Sequence, residues 1–99
     1  MIQGTTPTHK FNIPFNTESI ERVRIVYEQA GDVVLTKENE GCTMTGNTLI
    51  VRLSQEETLL FKSNVATRIQ VHLRTKSGEA YASNLVRVSV YELLEKEVI

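Results

Sequence analysis

The sequence predicts an all-β domain, an antiparallel β-sandwich of about seven strands with immunoglobulin-like connections. Three observations predict it. Val, Ile and Thr supply 29 of the 99 residues, and branching at Cβ suits the pleated strand better than the helix. Segments that alternate apolar with polar residues recur along the chain, with turn chemistry roughly every 8–12 residues. Ala is sparse and Trp absent, which disfavours a helical bundle. A small β-barrel would show the same alternation and stands as the alternative.

The elements follow in order. His9–Ile13 alternates before Pro14 closes it, and Phe11, Ile13 and Phe15 share one face. From Ile20 to Gln29, Val23, Ile25 and Tyr27 oppose Arg22 and Arg24. Ala30-Gly31-Asp32 is turn chemistry, so Val33–Lys37 reads as the return arm of a hairpin. Cys42–Thr45 and Thr48–Leu53 follow, separated by Gly46-Asn47, with Leu49, Val51 and Leu53 on one face. Ser54-Gln55-Glu56-Glu57 then matches a capping box, in which hydroxyl and carboxylate each satisfy an orphan backbone N–H. One helical turn is expected near 55–60, closing Leu59 and Phe61 (or Leu60) onto the core. Thr67–Arg74 puts Ile69, Val71 and Leu73 on one face. After the turn Thr75–Glu79, Ala80–Val90 reads as the longest strand, with Val86, Val88 and Val90 together. A single domain over 1–99 is expected, with loose ends at about 1–7 and 92–99.

Composition excludes several classes. Eleven Lys+Arg against twelve Asp+Glu leave a formal charge of −1, which gives no global reason to bind nucleic acid or anionic lipid. No apolar run approaches the roughly 20 residues that span a membrane. Met1–Pro7 carries neither a basic n-region nor an apolar h-region, so no signal peptide is expected. One cysteine, Cys42, excludes an internal disulfide and a thiolate zinc cluster.

Catalytic chemistry has little to build on. His9 and His72 are the only histidines, and Cys42 follows Glu40, which opposes thiolate formation. Asp32 is the single aspartate, so spaced-Asp calcium loops are unsupported. Glu38 and Glu40 fall in a turn, and Glu57 already serves the capping box. The glycines sit in turns, none of them leading from strand to helix as a phosphate cradle does. No enzyme, cofactor or metal site is therefore expected. The surface worth marking is Arg68, Gln70, His72 and Arg74, with Tyr81 and Arg87 across the hairpin: a cationic face with an aromatic, suited to an acidic partner or a glycan.

Three blocks carry a resemblance. Gly4–Phe15 reads GTTPTH-x-F-x-x-PF and Leu53–Phe61 reads L-x-QEET-x-x-F; a third, Gly78–Asn84, reads G-x-x-x-x-S-N. Together they resemble a group of small proteins encoded in phage and prophage structural-gene clusters of Gram-positive gut bacteria. The resemblance implies a virion-associated structural or assembly protein, in head, tail or baseplate, residing in the virion or in the host cytoplasm during assembly. It implies partners among other phage structural proteins or further copies of itself, and it brings no catalytic residues. The residues alone keep a carbohydrate-binding or adhesion module as the alternative. The tail Tyr91–Ile99, with Leu93, Leu94, Val98 and Ile99 as anchors, could either recruit a neighbour by strand addition or pack on its own domain.

Overall fold

Strands form where the alternation runs uninterrupted, and the computed structural model, which describes residues 1–99, assembles them into two antiparallel sheets. They are β1 (Thr8–Asn12), β2 (Ile20–Gln29), β3 (Asp32–Glu38), β4 (Thr43–Thr45), β5 (Thr48–Arg52), β6 (Thr67–Thr75), β7 (Ala80–Ala82) and β8 (Val86–Val88), with one α-helical turn, α1 (Gln55–Thr58), and two 3-10 turns, Thr17–Ser19 and Asn39–Gly41. One sheet has the order β1-β5-β4. In the other, β3-β2-β6 is completed by β7 and β8, both paired along the remaining edge of β6. In immunoglobulin lettering these are B-E-D and C′-C-F-G, with β7 and β8 sharing the place of G. The fold is an open immunoglobulin-like sandwich without a full strand A. A single parallel bridge, Ile2 to Tyr91, stands near where that strand would run.

The core is the meeting of the inward faces. Val23, Ile25 and Tyr27 of β2 and Leu49 and Val51 of β5 are completely buried, and Ile69, Val71 and Leu73 of β6 nearly so. Tyr27 is the largest fully buried side chain. Its ring meets Phe61 edge-on at 5.8 Å, and its hydroxyl lies 2.7 Å from Nδ1 of His9. The β2–β3 hairpin closes through Ala30 and Gly31, both at positive φ (51° and 88°), the backbone that a two-residue turn of matching twist requires.

α1 forms as its cap dictates. Ser54 Oγ accepts from the Glu57 N–H at 3.1 Å, and the Glu57 carboxylate accepts from the Ser54 N–H at 2.8 Å. The turn stops after four residues. Phe61 is the residue it delivers to the core, while Leu60 stays exposed.

The expected single strand Ala80–Val90 is in fact two. Leu73 pairs with Tyr81 and His72 with Ala82, but Ile69 pairs with Val86 and Thr67 with Val88, so one extra residue lies between the two pairings. Ser83 anchors the interruption: its N–H donates to Val71 O at 2.8 Å and its Oγ accepts from the Val71 N–H at 2.9 Å. The physical reason is parity. In an unbroken strand Tyr81 would share a face with Leu85 and Arg87. The bulge instead brings Val86 and Val88 to the side of Tyr81 and leaves Arg87 outside. Deleting Asn84 should therefore restore a regular ladder with every face unchanged, at a cost below about 1.5 kcal/mol, the scale of one or two hydrogen bonds. Urea unfolding would measure it, and a collapse of the fold would refute the register.

The two termini, expected to be loose, are held at their bases. The Gln3 side chain is buried, with Nε2 donating to Phe61 O at 2.7 Å and Oε1 accepting from the Leu93 N–H and the Lys96 ammonium. Gly4 has φ +72°, and a Cβ there would lie 2.6 Å from Leu93 Cδ2. The positive φ favours glycine, and a larger residue would have to push the Leu93 side chain aside. The termini are held by a buried amide that satisfies three groups, which periodicity does not reveal.

His9 gives the domain a pH dependence. Burial, with the N-terminal ammonium second, holds its pKa below the ordinary 6.5. The unfolded chain then takes up a proton near that pH before the folded chain does, so stability falls as pH drops through it. The urea midpoint should fall between about pH 7.5 and about pH 5.5, and fall less in His9→Gln. Equal losses in both proteins would remove His9 from the account.

Candidate interaction site

The strand register sorts the surface residues marked in the sequence. On the outer face of the larger sheet, Arg22 lies opposite Arg74, Arg24 opposite His72, and Glu28 opposite Arg68; Arg87 of β8 flanks Arg68 on the other side. Arg68, Gln70, His72, Arg74 and Arg87 thus share one face. Tyr81 does not. It pairs with Leu73 on the inward side, stacks on Phe15 with centroids 5.4 Å apart, and bonds its hydroxyl to Glu79. A two-residue period cannot place it with Arg74, because Tyr81 and Ala80 alternate and it is Ala80 that faces outward beside Arg74.

Glutamates already occupy much of this arginine face. Glu38 takes Arg24 at 2.7 Å and Arg22 at 3.2 Å, Glu21 takes Arg74 at 3.2 Å, and Glu28 pairs with Arg68. The arginine hydrogen bonds hold the Glu28 and Glu38 carboxyls below the usual carboxylate range. Five arginines against three glutamates leave a surplus of two positive charges, with a shallow depression of about 260 Å³ between Arg22, Arg24, His72 and Arg74. Exposed pairs of this kind contribute little to stability. An acidic ligand at Arg22, Arg24, Arg68 or Arg74 would compete with a resident carboxylate, whereas Arg87 carries none.

The other residues considered for chemistry stand apart. His9 is held by Tyr27, and His72 lies on the outer face opposite Arg24. Cys42 is half-buried, and burial pushes its thiol up despite nearby Lys37. Glu57 belongs to α1 and pairs with Lys37 at 2.6 Å; burial works to raise its pKa, but the bonds from Lys37 and Ser54 lower it overall. No three His, Cys, Asp or Glu side chains converge as a metal site.

A second surface was not marked in the sequence. Between the free edge of β1 and the free edge of β7 and β8, the sandwich is open. The resulting groove, about 440 Å³, is lined by Phe11, Ile13, Phe15, Tyr81 and Val86, with Lys10 as its one charged residue. β1 pairs only with β5, and β7 and β8 only with β6, so both rims keep unpaired backbone groups. Tyr81, Leu85 and Val86 are each between two-fifths and half exposed. The sequence signal was present in Phe11, Ile13 and Phe15 sharing a face. What it lacked was the knowledge that their strand is an edge.

The quoted sequence blocks come together in this architecture. Gln55 Nε2 donates to Gly4 O at 3.2 Å and Thr58 Oγ1 to Thr5 O at 2.9 Å, while Phe15 meets Tyr81 across the groove.

No family model matches the chain, and no curated protein matches it. Among solved structures, the V domain of amphioxus IgVJ-C2 is similar at a TM-score of 0.35 and 13% identity, over 91% of this chain and 96% of that one. The immunoglobulin-like assignment rests on the strand order described above.

Proposed function

We propose that this chain is a non-enzymatic structural or assembly module that works through protein–protein contacts. The resemblance of its sequence blocks supports placing it in a phage or prophage particle, as a head, tail or baseplate component. The observation that carries the reading is the apolar groove between two unpaired sheet edges. A free edge next to the groove supplies the backbone groups that recruit a neighbour. A glycan reading of the arginine face lacks its aromatic platform, since Tyr81 lies under the other face.

The test is sedimentation of the full chain, alone and mixed with each purified structural protein encoded beside it. Association with itself or with one of them, weakened by Tyr81→Asp in the groove, is the expected result. Unchanged monomer in every mixture would overturn the reading.

A further inference from the structure

One spot on the outer face of the larger sheet is built at a cost. Like charges directly opposite each other destabilise a strand pair. At one end of the β2–β6 pair the rule is obeyed, with Glu28 opposite Arg68. At the other end Arg22 lies opposite Arg74, and Arg24 opposite His72. Opposite residues stand about 5 Å apart and successive outward residues about 7 Å. Three guanidinium groups and an imidazole thus rise from the corners of a small rectangle. The next strand leaves room beside it: β7 sets Ala80 next to Arg74 and Ala82 next to His72, and both side chains are short. The depression of about 260 Å³ lies here.

The glutamates that partner these arginines are not among the residues lining the depression. Glu38 ends β3, on the far side of β2 from β6. A single oxygen, Oε1, accepts from Nη2 of Arg22 and from Nε and Nη2 of Arg24. Glu21 accepts only from Nη2 of Arg74. Most N–H donors of the three guanidinium groups are therefore unused, while the carboxylates restrain them. His72 adds a ring N–H in either tautomer.

We propose that this depression binds a phosphate monoester group. Charge decides the class. A carboxylate ligand would meet Glu21 and Glu38 as equals in the competition for the arginines. A phosphoryl group carries about two negative charges and three strong acceptor oxygens, so it attracts each guanidinium more strongly and reaches several corners together. The site lies on the opposite face of the larger sheet from the apolar groove, and it stands independently of the assembly reading.

The test follows the amide resonances of the full chain by NMR as inorganic phosphate replaces chloride at constant ionic strength, near pH 7.5, where phosphate is mostly doubly charged. Saturable shifts at Arg22, Arg24, His72, Arg74 and Ala80 are expected, and none with acetate. Arg74→Gln should weaken phosphate binding at least about fivefold. Arg87→Gln removes the same charge about 20 Å away along the sheet, beyond a Debye length, and should change binding less than about twofold. Glu21→Gln with Glu38→Gln should strengthen it, because the competing carboxylates are gone. All four positions are exposed, and circular dichroism would confirm the fold of each variant. Shifts that never saturate, equal losses in the Arg74 and Arg87 variants, or acetate binding as well as phosphate would overturn the proposal.

Discussion

Tyr27→Ala is expected to lower the stability of the domain by about 3–5 kcal/mol, a large share of what a domain of this size holds. The side chain is completely buried at the centre of the core, edge-on to Phe61 and bonded to His9. Truncating a large buried aromatic costs about 3–5 kcal/mol, the sum of lost transfer energy and the cavity left behind. Losing the hydroxyl also strands the His9 imidazole, which is half-buried. A domain of this size holds about 5–15 kcal/mol in all. Tyr27→Phe separates the two contributions: it keeps the ring and should cost only about 1–3 kcal/mol, the penalty for an unpaired buried partner. Urea denaturation followed by circular dichroism would measure both, and a Tyr27→Ala midpoint near that of the native chain would contradict this account of the core.

Gln29→Leu is expected to be nearly as damaging, although it makes the interior more apolar. Gln29 is 4% exposed at the end of β2, and its amide serves the irregular segment between α1 and β6. Nε2 donates to Lys62 O at 2.9 Å and to Val65 O at 3.1 Å, and Oε1 accepts from the Lys62 N–H at 2.8 Å. That segment forms no ladder, so one side chain supplies what a strand would otherwise supply. Leucine would leave those backbone groups without partners, at about 1–3 kcal/mol for each that water cannot reach. A loss of about 2–5 kcal/mol is expected, with faster amide exchange across 61–66 before the sheets exchange. Glu in place of Gln keeps the acceptor and loses the donors, so it should be destabilising as well. A neutral Gln29→Leu would show that the segment finds other partners.

Much of the fold could be read from the residues because burial enforces it. Val23-x-Ile25-x-Tyr27 and Ile69-x-Val71-x-Leu73 have one inward face each, and a slip of one residue would expose all of it. The Ser54–Glu57 capping box is equally local. The face of Tyr81 was not legible in the same way. Apolar residues fall at odd numbers in Tyr81 and at even numbers in Val86, Val88 and Val90, and only pairing with β6 shows that a bulge joins the two runs. The neutralised arginines are a further case: Glu28 meets Arg68 across 40 residues, a partnership fixed by register. The groove depends on a still larger fact, which strands end up at the edges. Gln3 and Gln29 look like surface residues in the sequence, and their roles depend on unpaired backbone elsewhere in the chain.

As an assembly module, the chain is expected to join other protein chains, copies of itself among them. The mass of the full chain by sedimentation equilibrium, across a wide range of concentrations, tests it most directly. The mass should rise with concentration above the 11.2 kDa of one chain and return to it when Tyr81 becomes aspartate. A mass of one chain at every concentration, alone and in every mixture with a candidate partner, would contradict it.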